Sequence, residues 1–320
     1  MTTQYSSSLV VRTPEDQSPK KLVRETIPVP SPGPGQVLVK VSHVAQNPTD
    51  VQSFDSNAFG DGIVLGWALI WGGETKGLGA YSEYCLADQR IAFKVPTALS
   101  REDASTIPLA AATAWLALFS SDCLNLDRTN AQGTSVLVWG GSTSVGLYSI
   151  QIASLYGFDV VTTCSPHNAE LVQSYGAKYV FDYKDEKVAE EIRKVAPNIY
   201  HVFDTVGNQG SSPTASRVFG SRQGSICTVR PGKANTEGVS EKAHVTDVLA
   251  SERDHELAIE LFEKLGPWLE EGTLKPNATE VFSGLDAVSG GFQKYRDRKI
   301  SAYKIVYQII STASIAARLV

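Results

Sequence analysis

The spacing of apolar and polar positions changes character part-way along the chain. Residues 35–41, Gly-Gln-Val-Leu-Val-Lys-Val, alternate and are rich in β-branched side chains, which predicts a strand. The alternating prolines Pro28, Pro30, Pro32 and Pro34 make a stiff, extended entry to it. Tyr81 to Leu86 predicts a second strand. Ser100 followed by Arg101, Glu102 and Asp103 is a helix start, a hydroxyl cap before acidic first-turn residues. Ala110 to Phe119 is Ala-rich and apolar, as in a buried helix. From Ser135 onward short apolar runs alternate with helical segments, the pattern of an α/β domain with a doubly wound parallel sheet. Strands are expected at 135–139, 159–163, 179–182, 201–204 and 225–229. Helices are expected at 145–156, 169–175 (closed by Gly176) and 256–271 (closed by Gly272). The alternation over 300–307 predicts a late strand that returns to the first domain.

The chain has 320 residues, of which 42% are hydrophobic, enough for two domains with a core each. A net charge of −5 argues against a nucleic-acid binder. No apolar run is long enough to span a bilayer, and the N-terminus lacks a basic region followed by an apolar core. Cys85, Cys123, Cys164 and Cys227 form no CxxC pair, so reduced, mostly buried thiols in a cytoplasmic protein are expected rather than a disulfide framework or a structural zinc site.

The sharpest local signal is Val136-Leu137-Val138-Trp139-Gly140-Gly141-Ser142-Thr143-Ser144-Val145-Gly146. A buried strand enters a Gly/Ser turn and then a helix. Glycines let the backbone approach a pyrophosphate, and the helix N-terminus offers N–H groups and a positive dipole. Gly146 lets the helix pack close to the strand. The next strand bears on the choice of cofactor. An NAD site usually ends this strand with a carboxylate that binds the ribose 2′-hydroxyl. Here it ends Thr163-Cys164-Ser165-Pro166-His167-Asn168. Ser165 and Asn168 can donate to a 2′-phosphate, and Tyr183 after the third strand can add a hydroxyl. NADPH is therefore expected over NADH, although the turn carries no Arg or Lys. His167 reads equally well as a solvated loop residue.

The run Gly140 to Ala153, GGSTSVGLYSIQIA, resembles the cofactor turn of the medium-chain dehydrogenase/reductase superfamily. Asn47-Pro48-Thr49-Asp50 resembles the NPxD motif of its quinone oxidoreductase branch. Ser165 to Asn168, Phe181-Asp182-Tyr183 and Trp71 to Tyr84 are similar to fungal trans-acting enoyl reductases, which serve highly reducing polyketide synthases of the lovastatin type in secondary metabolism. The resemblance implies a Rossmann domain at 110–279 and a β-rich, GroES-like substrate domain at 1–109 that resumes at 280–320. It implies hydride addition to the β-carbon of an enoyl thioester and protonation of the α-carbon. By the same resemblance Asn47, Pro48, Thr49 and Asp50 lie near the nicotinamide. Ser142, Thr143, Ser144, Val145 and Gly146 hold the pyrophosphate, and Ser165, Pro166, His167, Asn168 and Tyr183 hold the 2′-phosphate end. Val229 and Arg230 lie on the nicotinamide side. Thr113, Ala114, Trp115, Leu116, Ala117, Leu118, Phe119 and Ser120 line the acyl cleft.

Zinc members of the superfamily need a Cys near position 47 and a Gly-His-Glu motif; this chain has Asn47 and no Gly-His-Glu, so no metal is expected. Another donor must then meet the charge that develops on the thioester oxygen. Thr113 is the side-chain candidate, alongside a plain helical role in which its hydroxyl bonds its own backbone. Two departures stand out. Asp61 to Gly66 runs directly into Trp67 to Trp71, where the family carries about two dozen further residues with strands of the substrate domain. Gln52 stands where the family often has Lys, and Ser311 to Val320 extends past the usual ending. The expected function is an NADPH-dependent enoyl reductase acting on a polyketide carried by its synthase. Two alternatives stay open: a stand-alone quinone or enone reductase, and a non-reducing descendant used as a cyclase or partner-binding protein. Monomer and homodimer are both compatible.

Overall fold

The computed structural model describes residues 4–14, 19–66, 79–230, 232–248 and 253–309. Residues 67–78, most of the Trp71 to Tyr84 motif and the junction after Gly66, lie outside the described residues, as does the tail from 310. The chain divides into two compact units. One contains residues 1–109, 265–270 and 275–320; the other contains 110–264 and 271–274.

The first unit begins with an antiparallel pair, β1 (Tyr5–Arg12) and β2 (Lys21–Pro28). β3 (Gln36–Lys40) and β4 (His43–Ala45) follow, then α1 (Pro48–Ser56), β5 (Tyr84–Asp88) and α2 (Arg101–Ser105). α2 starts as the sequence predicts, with the Ser100 hydroxyl accepting from Asp103 N at 3.1 Å. α3 (Ile107–Phe119) leads into the second unit.

That unit is a regular βα alternation: β6 (Ser135–Trp139), α4 (Ser144–Leu155), β7 (Asp159–Cys164), α5 (Ala169–Ser174), β8 (Tyr179–Asp182), α6 (Val188–Val195), β9 (His201–Asp204), α7 (Ser211–Ser216), β10 (Gly224–Thr228), α8 (Lys233–Thr236) and β11 (Ala243–Asp247). α9 (Asp254–Glu270) comes next, then β12 (Ala278–Ser283), α10 (Val288–Arg296) and β13 (Tyr303–Gln308), which complete the first unit.

The six strands of the second unit are all parallel, in the order β11-β10-β9-β6-β7-β8. This is the doubly wound Rossmann arrangement, and chain direction across the sheet reverses between β6 and β9. β6 is apolar because both of its faces are covered: Val136, Leu137 and Val138 are fully buried.

In the first unit, β13 pairs in parallel with β12 and antiparallel with β4. Its core gathers Leu9, Val11, Val44, Val51, Tyr81, Phe292 and Tyr307. The strand expected at Tyr81–Leu86 starts only at Tyr84, because Tyr81 is turned fully into this core by its hydroxyl partner, described below. β3 forms where expected, yet every residue of it is exposed. Among the described residues it pairs only with β5, leaving Val37, Leu38 and Val39 on the surface.

Candidate functional site

The turn after β6 is built by three threonines. Gly140 has φ +87°, a left-handed conformation that side chains resist. A Cβ there would also lie 2.5 Å from Val206 and 2.8 Å from the Thr205 hydroxyl. Thr143 caps α4, its hydroxyl accepting from Gly146 N at 2.9 Å and donating to Thr205 Oγ1 at 2.8 Å. Thr205 Oγ1 reaches the carbonyls of Trp139 and Gly140 at 2.8 and 2.9 Å. Thr163 closes the other side, with Gly140 N on its hydroxyl at 3.1 Å and Gly141 N on its carbonyl at 2.8 Å. Thr205 follows β9, so the Thr143–Thr205 bond spans the reversal between β6 and β9, the place where open α/β sheets bind ligands. Sequence reasoning missed Thr205: its role depends on a partner 62 residues away.

Gly146 belongs to the same device. A Cβ on it would overlap the Gly140 carbonyl oxygen and come within 2.9 Å of Gly141 backbone atoms. The first turn of α4 can approach the loop only without a side chain at this position. Ser142, Thr143, Ser144, Val145 and Gly146 thus form one rigid turn at a helix N-terminus, whose geometry fits a pyrophosphate.

At the end of β7, Ser165 is half-buried, Pro166 and His167 are exposed and Asn168 is buried, with Asn168 N on the Ser165 carbonyl at 2.9 Å. β8 pairs Asp182 with Cys164, so the turn after β8 adjoins the one after β7. Tyr183 is exposed there, and Lys184 places its ammonium 5.8 Å from the Tyr183 ring centre. Lys184, a residue that sequence reasoning passed over, thus sets a cation on the turn that adjoins the one after β7. Asp182, the nearby carboxylate, accepts from Lys184 N at 3.0 Å within its own turn.

After β9 the buried Asp204 accepts four bonds: from Val206 N and Gly207 N at 3.0 and 3.1 Å, and from the hydroxyls of Ser211 and Ser212 at 2.7 and 2.6 Å. This fixes the loop beside Val229 and Arg230, which follow β10; Val229 N bonds the Asp204 carbonyl at 3.1 Å. Sequence reasoning also missed Asp204.

The Asn47-Pro48-Thr49-Asp50 motif opens α1 in the first unit, with Asn47 as the helix cap residue and Pro48 at the first helical position. Asp50 is fully buried. One of its oxygens accepts from Asn47 N at 2.8 Å and from the Tyr81 hydroxyl at 3.0 Å; the other accepts from Gly66 N at 3.2 Å. Burial, and then the charge of Asp50, push the Tyr81 hydroxyl well above its ordinary range. The Asn47 carboxamide oxygen accepts from the Lys304 ammonium at 2.6 Å. Burial lowers Lys304 to about 8, with Asp50 opposing the shift. Gln46 accepts from the Tyr307 hydroxyl. Gln52 donates to the Tyr295 hydroxyl at 3.0 Å, so its neutral amide is engaged with α10.

α3 is largely core. Ala114, Trp115, Leu116, Ala117, Leu118, Phe119 and Ser120 are all buried, and only Thr113 of the eight cleft candidates is part-exposed. Trp115 donates its ring N–H to the Leu257 carbonyl at 2.8 Å and meets Phe119 edge-on at 4.7 Å. Ser120 donates to Asp254 at 2.6 Å.

The zinc-binding dehydrogenase family matches residues 144–253. The chain is 29% identical to a dehydrogenase, azaJ, of Aspergillus niger, across 90% of this chain and 95% of that one. It is 29% identical to a trans-enoyl reductase of Gibberella fujikuroi, across 86% of this chain and 92% of the relative. The crystal structure of the CurK enoyl reductase superposes with a TM-score of 0.72 at 20% identity, covering 96% of this chain and 99% of the other. The fold is that of a medium-chain dehydrogenase. The two sequence alignments run over 333 and 322 positions while drawing on 90% and 86% of a 320-residue chain, so these relatives carry residues without a counterpart here. The family's name implies zinc, but the residues do not fit it. Among the described residues no three His, Cys, Asp or Glu side chains cluster to hold a metal. Asn47, where the resemblance leads one to expect a thiolate ligand, is a carboxamide whose oxygen accepts from the Lys304 ammonium. The four cysteines form no disulfide, and three of them are buried.

Proposed function

We propose that the protein is an NADPH-dependent enoyl reductase that reduces the α,β-double bond of a polyketide enoyl thioester carried by its synthase. Unit 2 is the cofactor domain in this reading and unit 1 the substrate domain, working in the cytoplasm. Among the described residues no helix is long and apolar enough to cross a membrane. The observation that carries the cofactor assignment is the end of β7: Ser165 and Asn168 stand where an NAD site has a carboxylate, with Tyr183 and Lys184 on the adjoining turn. The trans-enoyl reductase of Gibberella fujikuroi, similar over most of the chain, supports the substrate class.

NADPH, when bound, would supply the hydride that adds to the β-carbon, and a proton from solvent would complete the reduction at the α-carbon. The chain's residues do the rest. Ser142 to Gly146 hold the pyrophosphate at the α4 N-terminus. Ser165, Pro166, His167, Asn168, Tyr183 and Lys184 hold the 2′-phosphate, with Lys184 opposing its charge. Val229 and Arg230 border the nicotinamide in the cofactor domain. The segment from Thr113 to Ser120 lines the acyl side, and the Thr113 hydroxyl donates to the thioester oxygen as negative charge develops there.

Fluorescence titration of the purified protein with NADPH and NADH, followed by absorbance on adding crotonyl-pantetheine, tests this reading. Selective NADPH binding with thioester-dependent oxidation is expected. Tight binding without oxidation would favour the non-reducing alternative. Two variants sharpen the test. S165D sets a carboxylate against the 2′-phosphate and is expected to weaken NADPH binding about a hundredfold while changing NADH little. T113V is expected to lower kcat about a hundredfold with NADPH affinity unchanged. A loss of less than about threefold would return Thr113 to a helical role alone.

A further inference from the structure

β13 and β4 are antiparallel, with Tyr307 opposite Val44 and Val306 opposite Ala45. Continuing that register by two residues sets Lys304 across from Asn47, where the chain leaves β4 and enters α1. Lys304 is 5% exposed. Lysines are seldom buried this far without a partner, and here the partner is a neutral one, the Asn47 carboxamide oxygen at 2.6 Å. An ammonium can only donate, so the oxygen of Asn47 must face it, which settles the orientation of the amide. The amide nitrogen then points away; one of its hydrogens goes to the Ala45 carbonyl at 3.3 Å. The other makes no hydrogen bond among the described residues.

The charges around Lys304 are few. Asp50 on α1 is the carboxylate that acts on it. Tyr81 and Tyr307 are held neutral, their hydroxyls raised well above the ordinary range. β12 places the neutral Thr279 beside Lys304. α2, which packs against β13, carries Arg101, Glu102 and Asp103, and none of these enters the balance at Lys304.

We propose that Lys304 is a positioning residue whose ammonium locks the Asn47 carboxamide so that its remaining N–H is offered to a ligand oxygen at the start of α1, and that deprotonation of Lys304 weakens this lock. The ligand rests on the reductase reading; the lock does not. A protonated Lys304 admits one amide orientation. A neutral amine donates more weakly and can also accept, so it holds the Asn47 oxygen less firmly, while the Ala45 carbonyl still favours the same orientation. With burial holding Lys304 near 8, the change falls in a range where the protein can be assayed.

Two measurements test this. The first needs no cofactor: NMR titration of the protein with 13C-labelled lysine side chains, with the Lys304 signal assigned by its loss in K304M. Lys304 is expected to titrate near pH 8, and to move up by about one unit or more in N47D, where a carboxylate replaces the carbonyl. An unmoved titration in a folded N47D protein overturns the lock. The second is the pH profile of NADPH-dependent crotonyl-pantetheine reduction. The wild type is expected to lose rate as Lys304 deprotonates. K304M is expected to be about tenfold slower, with no such alkaline limb. K304R, which keeps its charge, is expected to retain most of the rate and also lack the limb. An alkaline limb that persists in K304M overturns the positioning role. A wild-type protein that reduces no thioester strikes the reductase reading, and the NMR titration then decides the lock by itself.

Discussion

G146A is expected to abolish measurable NADPH binding and to lower the melting temperature by about 5 °C or more. Alanine normally strengthens a helix relative to glycine by about 1 kcal/mol, so on propensity alone the change would stabilise α4. Position 146 reverses that sign. The added methyl would overlap the Gly140 carbonyl oxygen and crowd the backbone of Gly141, atoms of the turn itself rather than movable side-chain ends. Relief requires the start of α4 to pull away from the loop. That breaks the Thr143 cap on Gly146 N and the Thr143–Thr205 bond with it. Overpacking of this kind costs about 1–3 kcal/mol in stability. The larger effect falls on binding, because a pyrophosphate needs several N–H groups aligned at once; a loss of about a hundredfold or more is expected. G290A in α10 is the control. It is also a helical glycine, but a Cβ there meets nothing within 4 Å, and NADPH affinity is expected to be unchanged. Fluorescence titration and thermal unfolding of both variants decide the matter. A G146A protein that binds NADPH as wild type does would mean that the turn after β6 is not the phosphate cradle.

The turn after β6 was legible in the sequence because its causes are local. A fully buried strand shows as an unbroken apolar run, and the Gly/Ser turn follows it directly. β6 and β9 fall at the expected residues for the same reason, and β8 falls there too although it is half-buried throughout. α4 begins one residue earlier than its apolar pattern suggests, because the Thr143 hydroxyl caps it and brings Ser144 into the helix. β2 was not legible: Lys21, Arg24 and Glu25 put charges on both of its faces, so its pattern reads as a polar segment until β1 pairs with it. Tyr81 was misread as a strand residue because its aromatic ring suits a pleat as well as a core. Its actual place is set by Asp50, 31 residues earlier. Thr205, Asp204 and Lys304 are ordinary residues in their own neighbourhoods. They become part of a site only through partners brought close by the fold, 257 positions apart in the case of Lys304 and Asn47. Trp115 and its neighbours on α3 illustrate the converse. An apolar helix placed at a cleft by resemblance proves to spend most of its side chains on the core.

D50A is expected to destabilise the protein more than any other single substitution in the Asn47–Asp50 motif, by about 3–5 kcal/mol, or about 10 °C in melting temperature. The Asp50 carboxylate is fully buried and accepts from Asn47 N, Tyr81 Oη and Gly66 N, three donors from three separate segments. Alanine would leave those donors facing a small apolar void. Each unsatisfied donor costs about 1–3 kcal/mol, and partial collapse of the site recovers some of it. D50N keeps the shape, yet its amide nitrogen must confront at least one of the donors, so it is expected to recover less than half of the loss. The pH dependence adds a second signature. Lys304 stands at about 8 in the folded protein against an ordinary value of 10.5. Between those values the unfolded chain binds more protons than the folded one, so the Lys304 contribution to stability rises with pH across that window. Its unfavourable effect is fully present below about pH 8 and is relieved toward 10.5. Removing the Asp50 charge takes away the carboxylate that favours the ammonium, so Lys304 titrates lower still and the window opens at a more acidic pH. Urea unfolding of wild type, K304M, D50A and the double variant from pH 6.5 to 10 measures this directly. The wild type is expected to gain stability relative to K304M above pH 8, and D50A to show the same gain, relative to the double variant, beginning at lower pH. Equal pH slopes for wild type and K304M would show that Lys304 is not the buried ammonium that the Asn47 contact requires.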